Sequence, residues 1–367
     1  MKFSECVEIV GSKPSRYQGI KQYVSTGALD SDHIDENSIE EYAYDDRPSR
    51  ADLVAEAGNV LFAKMAETKK TLVINNQNEK YLFSTGFFAV KPKKNVLTTE
   101  CLYYLLNSNT FLSQKDKYSS GATQKAISNA SLEKIIVNIP CFSKQEDIVK
   151  QLDKLSNIIK KTRKQLLNFD LLIKSRFIEM FGDPVQNPMG WEVKKLGDIC
   201  TKISDGVHAK PEYTATGKPF ISVVNINSGK LLFDDCKYVS EEAYEKMIKT
   251  THPEKGDILY TKVGATYGIP ALVDTDRAFC LYVSVALLKP KSEIVNSQFL
   301  TTSMAQPYIK NQADKRIKGI GVPDLHLNQI REFEVLVPPL ELQNHFNSFV
   351  QQIDKSKFEN NIMEFAA

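Results

Sequence analysis

The sequence predicts a mixed α/β (α+β) protein in which two similar domains are separated by long antiparallel, coiled-coil-like helices. The first observation is an internal repeat, because residues 58–153 align without a gap on residues 256–351. The second is the mixture of strand-like and helix-like runs within each copy. The third is a long stretch without glycine or proline between the copies. One fold used twice indicates two domains that perform the same kind of task on two targets.

Each copy contains the same order of predicted elements. A short apolar run after a glycine-led turn is typical of a first strand. A longer apolar run that ends in Lys-Pro indicates a second strand, and a final apolar run before proline indicates a third strand. A helical pattern lies between the second and third strands. The predicted strands are residues 60–62, 83–90 and 135–139 with 258–260, 281–288 and 333–337, and the predicted helices are residues 102–111 and 299–309.

A heptad pattern predicts the helical spacers. Apolar residues spaced alternately by four and three run from Gln145 to Phe181, a length of roughly 55 Å for a helix. The chain after the second copy repeats the start of this pattern and then ends, so the second spacer is shorter. We expect the two helices to pair antiparallel around a seam formed by Ile148, Leu152, Leu155, Ile159, Leu166, Phe169, Ile173, Phe346, Val350 and Ile353.

These patterns divide the chain into four parts. The expected divisions are a first domain at 1–144, a central spacer at 145–182, a second domain at 183–340 and a short C-terminal spacer at 341–367. Gly182 followed by Pro184 is a stop signal that sets the end of the central spacer.

Composition is ordinary for a globular protein. The chain has 367 residues, 25% charged, and a net charge of +2, which neither requires nor excludes nucleic acid. The N-terminus lacks the apolar run of a signal peptide, and no stretch approaches the ~20 apolar residues that span a bilayer. The six cysteines form no CxxC pair, so we expect reduced thiols in a cytoplasmic protein.

The sequence lacks the common catalytic and cofactor-binding motifs. It contains no GxxxxGK[ST] loop, no GxGxxG opening a helix, no HExxH and no zinc-spaced Cys/His array. The tetrapeptide that amino-methyltransferases use is also absent. Together with a duplicated domain on a helical spacer, this favours a recognition protein without catalytic or metal-binding residues over an enzyme.

The order of several segments resembles the specificity (S) subunits of type I DNA restriction–modification enzymes. The resemblance covers essentially the whole chain, and its specificity lies in the order of the segments rather than in any one of them. The segments are 190–199 (GWEVKKLGDI), 181–184 (FGDP), 256–259 (GDIL), 335–340 (VLVPPL), 204–208 (SDGVH), 23–27 (YVSTG), 48–51 (PSRA) and 121–127 (GATQKAI).

The resemblance implies a non-catalytic subunit of a bacterial or archaeal cytoplasmic complex. Each recognition domain would read one half of an interrupted double-stranded DNA target, and the helices would set the gap and dock two modification subunits. Those partners would bind S-adenosylmethionine and methylate adenine, and restriction subunits would use ATP and Mg²⁺; this chain itself would need no cofactor. Two alternatives remain: a recognition subunit of a type II-like restriction–modification effector, and an unrelated scaffold without a DNA role.

Candidate DNA contacts in the first domain are basic or amide side chains in turns and loops. Lys64, which the repeat places on Lys262, suits a phosphate contact, whereas positions that differ between the copies suit base readout. Arg50 suits a guanine edge or a phosphate, or pairs with Asp45 and Asp46 instead. Solvated lysines and loop capping are the plainer interpretations. The full set is Arg50, Lys64, Lys69, Lys70, Gln124 and Lys125.

Candidate contacts in the second domain lie in corresponding or neighbouring loops. His208 follows an Asp-Gly turn, and a metal-ligand role for it is disfavoured because no partner ligand is near in sequence. Tyr267 stands where the gapless alignment has Lys69. The basic segment near 315–319 suits backbone contact. The full set is His208, Lys210, Tyr213, Lys262, Tyr267, Lys315, Arg316 and Lys318.

Overall fold

The computed structural model describes residues 1–317 and 321–366, with side chains described through Lys357. The chain forms two compact units, residues 1–158 and 159–367, and the division between them falls inside its longest helix. Each unit contains one copy of the repeat, which we call repeat 1 and repeat 2. The predicted bounds of the recognition domains and spacers stay a prediction, because compactness divides the chain within the central helix.

Repeat 1 consists of two small sheets, a short hairpin and flanking helices. Its strands are β1 (Val7–Val10), β2 (Ile20–Val24), β3 (Leu29–Asp30), β4 (His33–Ile34), β5 (Glu40–Ala43), β6 (Val60–Ala63), β7 (Thr71–Val73), β8 (Leu82–Phe83) and β9 (Phe87–Pro92). Its helices are α1 (Phe3–Cys6), α2 (Thr99–Leu106), α3 (Asn109–Tyr118), α4 (Asn129–Leu132) and the long α5 (Phe142–Phe181).

The main sheet of repeat 1 has the order β1-β9-β6-β7 and is buried on both faces. Alternate residues of a strand point to opposite faces. Phe62 accordingly joins a core that includes Phe3 and Phe111, while Leu61 joins a second core with Phe83 on the other side. A smaller sheet, β5-β2-β8, pairs β2 with β8 in parallel.

Repeat 2 contains a matching set of elements. Its strands are β10 (Glu192–Lys195), β11 (Cys200–Asp205), β12 (Lys218–Ile221), β13 (Lys237–Val239), β14 (Ile258–Thr261), β15 (Pro270–Leu272), β16 (Cys280–Leu281), β17 (Val285–Pro290) and β18 (Glu334–Val337). Its helices are α6 (Leu196–Ile199), α7 (Glu241–Ile248), α8 (Ser297–Met304), α9 (Pro307–Arg316), α10 (Leu327–Arg331) and α11 (Leu340–Ala366).

The two main sheets have the same strand order, and their central strand pairs, β6 with β9 and β14 with β17, have the same register. Repeat 2 has β11-β17-β14-β15, matching β1-β9-β6-β7. Val60 pairs with Val90 as Ile258 pairs with Leu288. The smaller sheet also recurs as β13-β12-β16, again with one parallel pair. The predicted mixed α/β fold with a pseudo-repeat is therefore confirmed.

Several predicted element bounds are wrong. The strand predicted at 83–90 is two strands, β8 and β9, separated by a turn. Each predicted helix is two helices, because Ser108 caps the start of α3 and Pro307 occupies the first turn of α9. Residues 135–139 form no strand; Lys2 makes a single bridge to Ile136. In repeat 2 the corresponding run, β18, pairs with the four residues of β10.

The gapless alignment is also wrong by one residue in a loop. Phe62 pairs with Thr71, whereas Tyr260 pairs with Pro270. The connection after β6 is therefore residues 64–70, and the connection after β14 is residues 262–269, one residue longer. Position-by-position comparison of Lys69 with Tyr267 does not hold in the structure.

The end of α5 and the start of α11 pack antiparallel within the second unit. Phe346 of α11 lies 5.6 Å, centroid to centroid, from both Phe177 and Phe181 of α5. Further along α11, Lys357 forms an ion pair of 2.7 Å with Asp170, which lies earlier on α5. Later residues of α11 therefore contact earlier residues of α5, so the predicted antiparallel arrangement is confirmed for these parts of the two helices.

The predicted seam residues differ in burial. Phe346, Val350 and Ile353 are buried, while the seven predicted on α5, Ile148, Leu152, Leu155, Ile159, Leu166, Phe169 and Ile173, are only half-buried. Val149, Phe177 and Phe181, which the heptad pattern missed, are the buried apolar residues of α5. Among the described residues no helix is both long and apolar enough to cross a membrane.

One glutamine fixes the start of each long helix to its domain. Gln145, fully buried, accepts from the Thr98 amide at 2.9 Å and donates to the carbonyls of Val96 and Pro140. Gln343 makes the same three bonds to Asn296, Ile294 and Pro338. A buried amide side chain that satisfies three backbone groups has a structural role. The glutamine is therefore identical in the two repeats because both use it to hold the same fold.

Candidate nucleic-acid interface

Five loops of repeat 1 meet at one end of its main sheet. The Lys64 amide donates to the Gly86 carbonyl at 2.9 Å, and the Ala66 amide donates to the Lys125 carbonyl at 2.9 Å. The Thr85 amide donates to the Arg50 carbonyl at 2.9 Å. We call this surface loop face 1; it consists of residues 25–27, 48–50, 64–70, 84–86 and 120–126.

Four predicted contacts of repeat 1 are exposed on loop face 1: Arg50, Lys69, Gln124 and Lys125. Asp45, the alternative partner considered for Arg50, instead binds Arg16 at 2.9 Å. Arg50 has no ion pair within the part of the chain that the structure describes. Its guanidinium therefore remains available to an external acceptor.

The ammonium groups of Lys64 and Lys70 form hydrogen bonds within the protein. The Lys64 ammonium donates to the Thr85 carbonyl at 2.8 Å and lies 4.4 Å from the centre of the Phe88 ring. Burial lowers the pKa of this half-buried lysine. Lys70 donates to the Thr26 carbonyl at 2.7 Å. The Lys64 side chain therefore joins two loops of the face, and its predicted phosphate contact stays a prediction.

In repeat 2 we define loop face 2 as residues 205–213, 262–269, 282–284 and 321–325. The last three segments correspond to residues 64–70, 84–86 and 120–126 of loop face 1. The Lys262 amide donates to the Ser284 carbonyl at 3.0 Å, which repeats the bond from Lys64 to Gly86. Val263 bridges Asp324 as Met65 bridges Ala126. The backbone framework beneath the two faces is therefore the same.

Lys262 is buried between two carboxylates. Its side chain is 6% exposed, and its ammonium lies 3.3 Å from Asp205 and 3.6 Å from Asp324. A paired, desolvated ammonium stabilises the loops that supply its partners and offers no free positive charge to a phosphate. The predicted phosphate contact at Lys262 stays a prediction, and this burial between carboxylates weighs against it.

The loop after β11 places His208, Lys210 and Tyr213 together. His208 and Lys210 are exposed, and His208 lies 3.6 Å from an oxygen of Asp205. The half-buried Tyr213 ring has Lys210 at 5.7 Å and Lys237 at 4.4 Å from its centre. Two ammonium groups beside one aromatic ring give this edge of loop face 2 a positive character. No cluster of three metal-ligating side chains occurs among the described residues.

The remaining predicted contacts of repeat 2 have different surroundings. The Tyr267 hydroxyl binds Asp314 at 2.5 Å, and the Lys310 ammonium lies 3.4 Å from the centre of the Tyr267 ring. Arg316 donates to the carbonyls of Gln312 and Glu332, so it is a structural residue. Lys315 is exposed. Lys318 lies outside the described residues.

Sequence reasoning missed the buried residues that support these faces. Lys115, beneath loop 64–70, is 1% exposed and stands where repeat 2 has Ala313. Its only sequence signal was helical spacing, since it follows the core residue Phe111 by four positions on α3. Asp205 and Asp324, which enclose Lys262, gave no signal because they are distant from it in sequence.

Comparison with known proteins identifies the family. A family model described as the type I restriction modification DNA specificity domain matches residues 15–168 and again residues 188–364. The chain belongs to this family. The two matches correspond to the two repeats of the fold.

Relatives of the chain are specificity subunits by name. The type I restriction enzyme MjaIX specificity subunit of Methanocaldococcus jannaschii is 24% identical over 286 residues, covering 73% of this chain and 65% of the relative. The EcoKI specificity subunit of Escherichia coli is 20% identical over 310 residues, covering 79% and 66%. The chain thus spans about two thirds of the length of these relatives.

Solved structures share the fold. A chain described in work on complex assembly and conformational transition of the type I R-M system has a TM-score of 0.58 at 18% identity, covering 100% of this chain and 93% of that one. The S subunit of a type I restriction–modification system from M. genitalium also has a TM-score of 0.58, at 13% identity, with 100% and 91% coverage.

Proposed function

We propose that this chain is the DNA-recognition subunit of a type I restriction–modification complex and has no catalytic activity of its own. The observation that carries the proposal is the duplicated loop face on a family fold described as a DNA specificity domain. Each repeat would read one half of an interrupted target in double-stranded DNA. Such a subunit would act in the cytoplasm, where the chromosome lies.

Loop face 1 has the chemistry that base recognition requires. Gln124 is exposed on a loop, and an amide side chain can form two hydrogen bonds with adenine in the major groove. The exposed Arg50 guanidinium suits a guanine edge or a phosphate. The exposed Lys69 and Lys125 ammonium groups suit phosphates, which fix register without reading sequence.

Loop face 2 presents different side chains on the same framework. The loop after β11 carries His208, Lys210 and Tyr213, whereas its counterpart after β1 carries Lys13, Arg16 and Tyr17 at other spacings. The exposed Lys315 of α9 stands where α3 has the exposed Lys117. Different exposed groups on a common framework support the proposal that the two half-targets differ in sequence.

The long helices suit a spacer that also binds partners. The helix α5 has 40 residues, so it is about 60 Å long and exceeds one DNA turn of ~34 Å. In the proposed complex these helices set the gap and dock two modification subunits, and restriction subunits join them. S-adenosylmethionine, ATP and Mg²⁺ would be bound by those partners.

Mapping of methyl-adenine tests this function. The chain is co-expressed with its neighbouring modification subunit in a host without DNA methylation, and methylated adenines are mapped across the genome. We expect one two-part motif with an unread gap. Methylation of a continuous site contradicts the proposal, as does a complete absence of methylation from an assembled complex.

Gln124→Ala sharpens the same experiment. Because Gln124 belongs to one loop face, its loss should relax base preference about tenfold in one half of the motif and leave the other half unchanged. Gln77→Ala, an exposed glutamine beyond the other end of β7, is the matched control and should change neither half. A uniform loss of methylation at all sites would contradict the assigned role of Gln124.

A further inference from the structure

A buried ammonium lies beneath loop 64–70 of loop face 1. Lys115 of α3 is 1% exposed, and its ammonium donates to the carbonyls of Met65 at 2.8 Å and Thr68 at 2.7 Å. A third carbonyl, of Ala63, lies at 3.4 Å. Burying a charged lysine is costly unless its donors are satisfied. All the partners that the structure gives this ammonium are at the end of β6 or in the loop that follows it.

The next residue holds the other side of the same loop. Asp116 accepts a hydrogen bond of 2.9 Å from the Glu67 amide. Glu67 has φ of 58°, a left-handed conformation that costs a non-glycine residue roughly 1–2 kcal/mol. Such a conformation persists only where its surroundings enforce it. Two consecutive residues of α3, Lys115 and Asp116, bind successive parts of this loop.

The loop is connected in turn to the proposed reading groups. The Ala66 amide donates to the Lys125 carbonyl, and the Lys64 ammonium donates to the Thr85 carbonyl. Lys69 is itself part of the loop. A displacement of residues 64–70 would therefore move Lys69 and the backbone beside Gln124.

Repeat 2 folds the corresponding loop without this ammonium. Ala313 occupies the position of Lys115, and Thr261 occupies that of Ala63. The Thr261 hydroxyl donates to the Thr266 carbonyl at 2.7 Å and accepts from the Ile269 amide at 2.8 Å. Gly264 and Gly268 supply the positive φ angles. The shared fold does not require a buried lysine; only the glycine-free loop of repeat 1 does.

We infer that Lys115 and Asp116 are positioning residues that hold loop 64–70 in the conformation that reads DNA. The inference rests on the proposed function and adds that the specificity of repeat 1 depends on two residues that touch no DNA. Their loss should affect one half-target, because each repeat supports its own loop. Repeat 2 has Ala313 in place of Lys115, and Asp314, the counterpart of Asp116, binds the Tyr267 hydroxyl of loop 262–269.

The test is Lys115→Met, which keeps an unbranched apolar side chain and removes the ammonium. Lys117→Met, at an exposed position on the same helix, is the matched control. Hydrogen exchange of the full chain should accelerate at least about tenfold at residues 64–68, with β14 and loop 262–269 unchanged. Methylation mapping with the partner subunit should show base preference relaxed about tenfold in one half of the motif.

Asp116→Ala provides a second variant, because Asp116 is only half-buried and outside the apolar core. It should accelerate exchange at Glu67 and relax the same half of the motif, even if Lys115→Met fails to fold. Unchanged exchange at residues 64–68 in both variants would overturn the positioning role, as would an equal loss of preference in both half-targets. If the exchange result is obtained but the wild-type complex methylates no interrupted site, the proposed function fails and the loop-holding role stands.

Discussion

The two repeats share a backbone framework but support the same loop through different contacts. Loop 64–70 rests on the Lys115 ammonium and contains a strained Glu67, whereas loop 262–269 contains two glycines and is closed by the Thr261 hydroxyl. The Tyr260 hydroxyl, buried near Gly268, finds no hydrogen-bond partner among the described residues. The difference shows that one sheet framework accommodates two sets of contacts beneath this loop.

Residues that are identical in the two repeats mostly serve that common sheet. Gln114 donates to the Ile136 carbonyl and accepts from the Ile136 amide, and Gln312 does the same with Glu334. An amide side chain that pairs with a backbone in this way acts as an extra strand residue. At these glutamine positions, identity between the copies marks the framework.

The largest predicted effect tests this framework role directly. Gln145→Ala and Gln343→Ala should each lower the free energy of unfolding of the affected unit by about 3 kcal/mol, because each leaves three backbone groups without their buried partner. Urea denaturation of the full chain, followed by hydrogen exchange to assign the unit, measures both. Glu146→Ala, at an exposed site next to Gln145, is the control. A large loss of stability in only one unit would contradict the structural equivalence of Gln145 and Gln343.

A smaller effect follows from placing a glycine in repeat 1. Glu67→Gly should raise the free energy of unfolding by up to about 1 kcal/mol, since glycine adopts a positive φ without steric cost. Lys69→Gly in the same loop should lower the free energy of unfolding by about 0.5 kcal/mol, because φ of Lys69 is not positive. Thermal unfolding compares the two. A loss of stability with Glu67→Gly would mean that the strain is not released.

Much of the framework could be predicted from the sequence, and the loop supports could not. The repeat located β6, β14 and the two long helices because apolar periodicity reports burial directly. The extra residue in loop 262–269 was not predicted, because identical residues on both sides of the loop kept the gapless alignment in register. The burial of Lys262 between two carboxylates was not predicted either, since Asp205 and Asp324 are distant from it in sequence and approach it only in the tertiary fold. Charged residues at helical spacing, such as Lys115, are read as surface unless the loop above them is known.

The buried ammonium of repeat 1 also predicts a pH dependence that repeat 2 lacks at this position. Burial lowers the pKa of Lys115 below its usual value. Between the folded and unfolded pKa values the unfolded chain binds more protons, so the free energy of unfolding rises with pH in that window. Lys115→Met removes this contribution, and its deficit relative to wild type should grow as pH rises toward about 10. Urea titrations across this range measure it; a constant or shrinking deficit contradicts the assignment.

The smallest predicted effect concerns the helices that end the two repeats. The helix α11 has 27 residues and α5 has 40, and their antiparallel contact includes the ion pair between Lys357 and Asp170. Asp170 is 60% exposed, so the pair should contribute only about 0.5 kcal/mol. A double-mutant cycle with Lys357→Ala and Asp170→Ala isolates the coupling from the separate contact of Lys357 with Asp354. A coupling that vanishes already at low salt would contradict a contribution of this ion pair to the antiparallel contact.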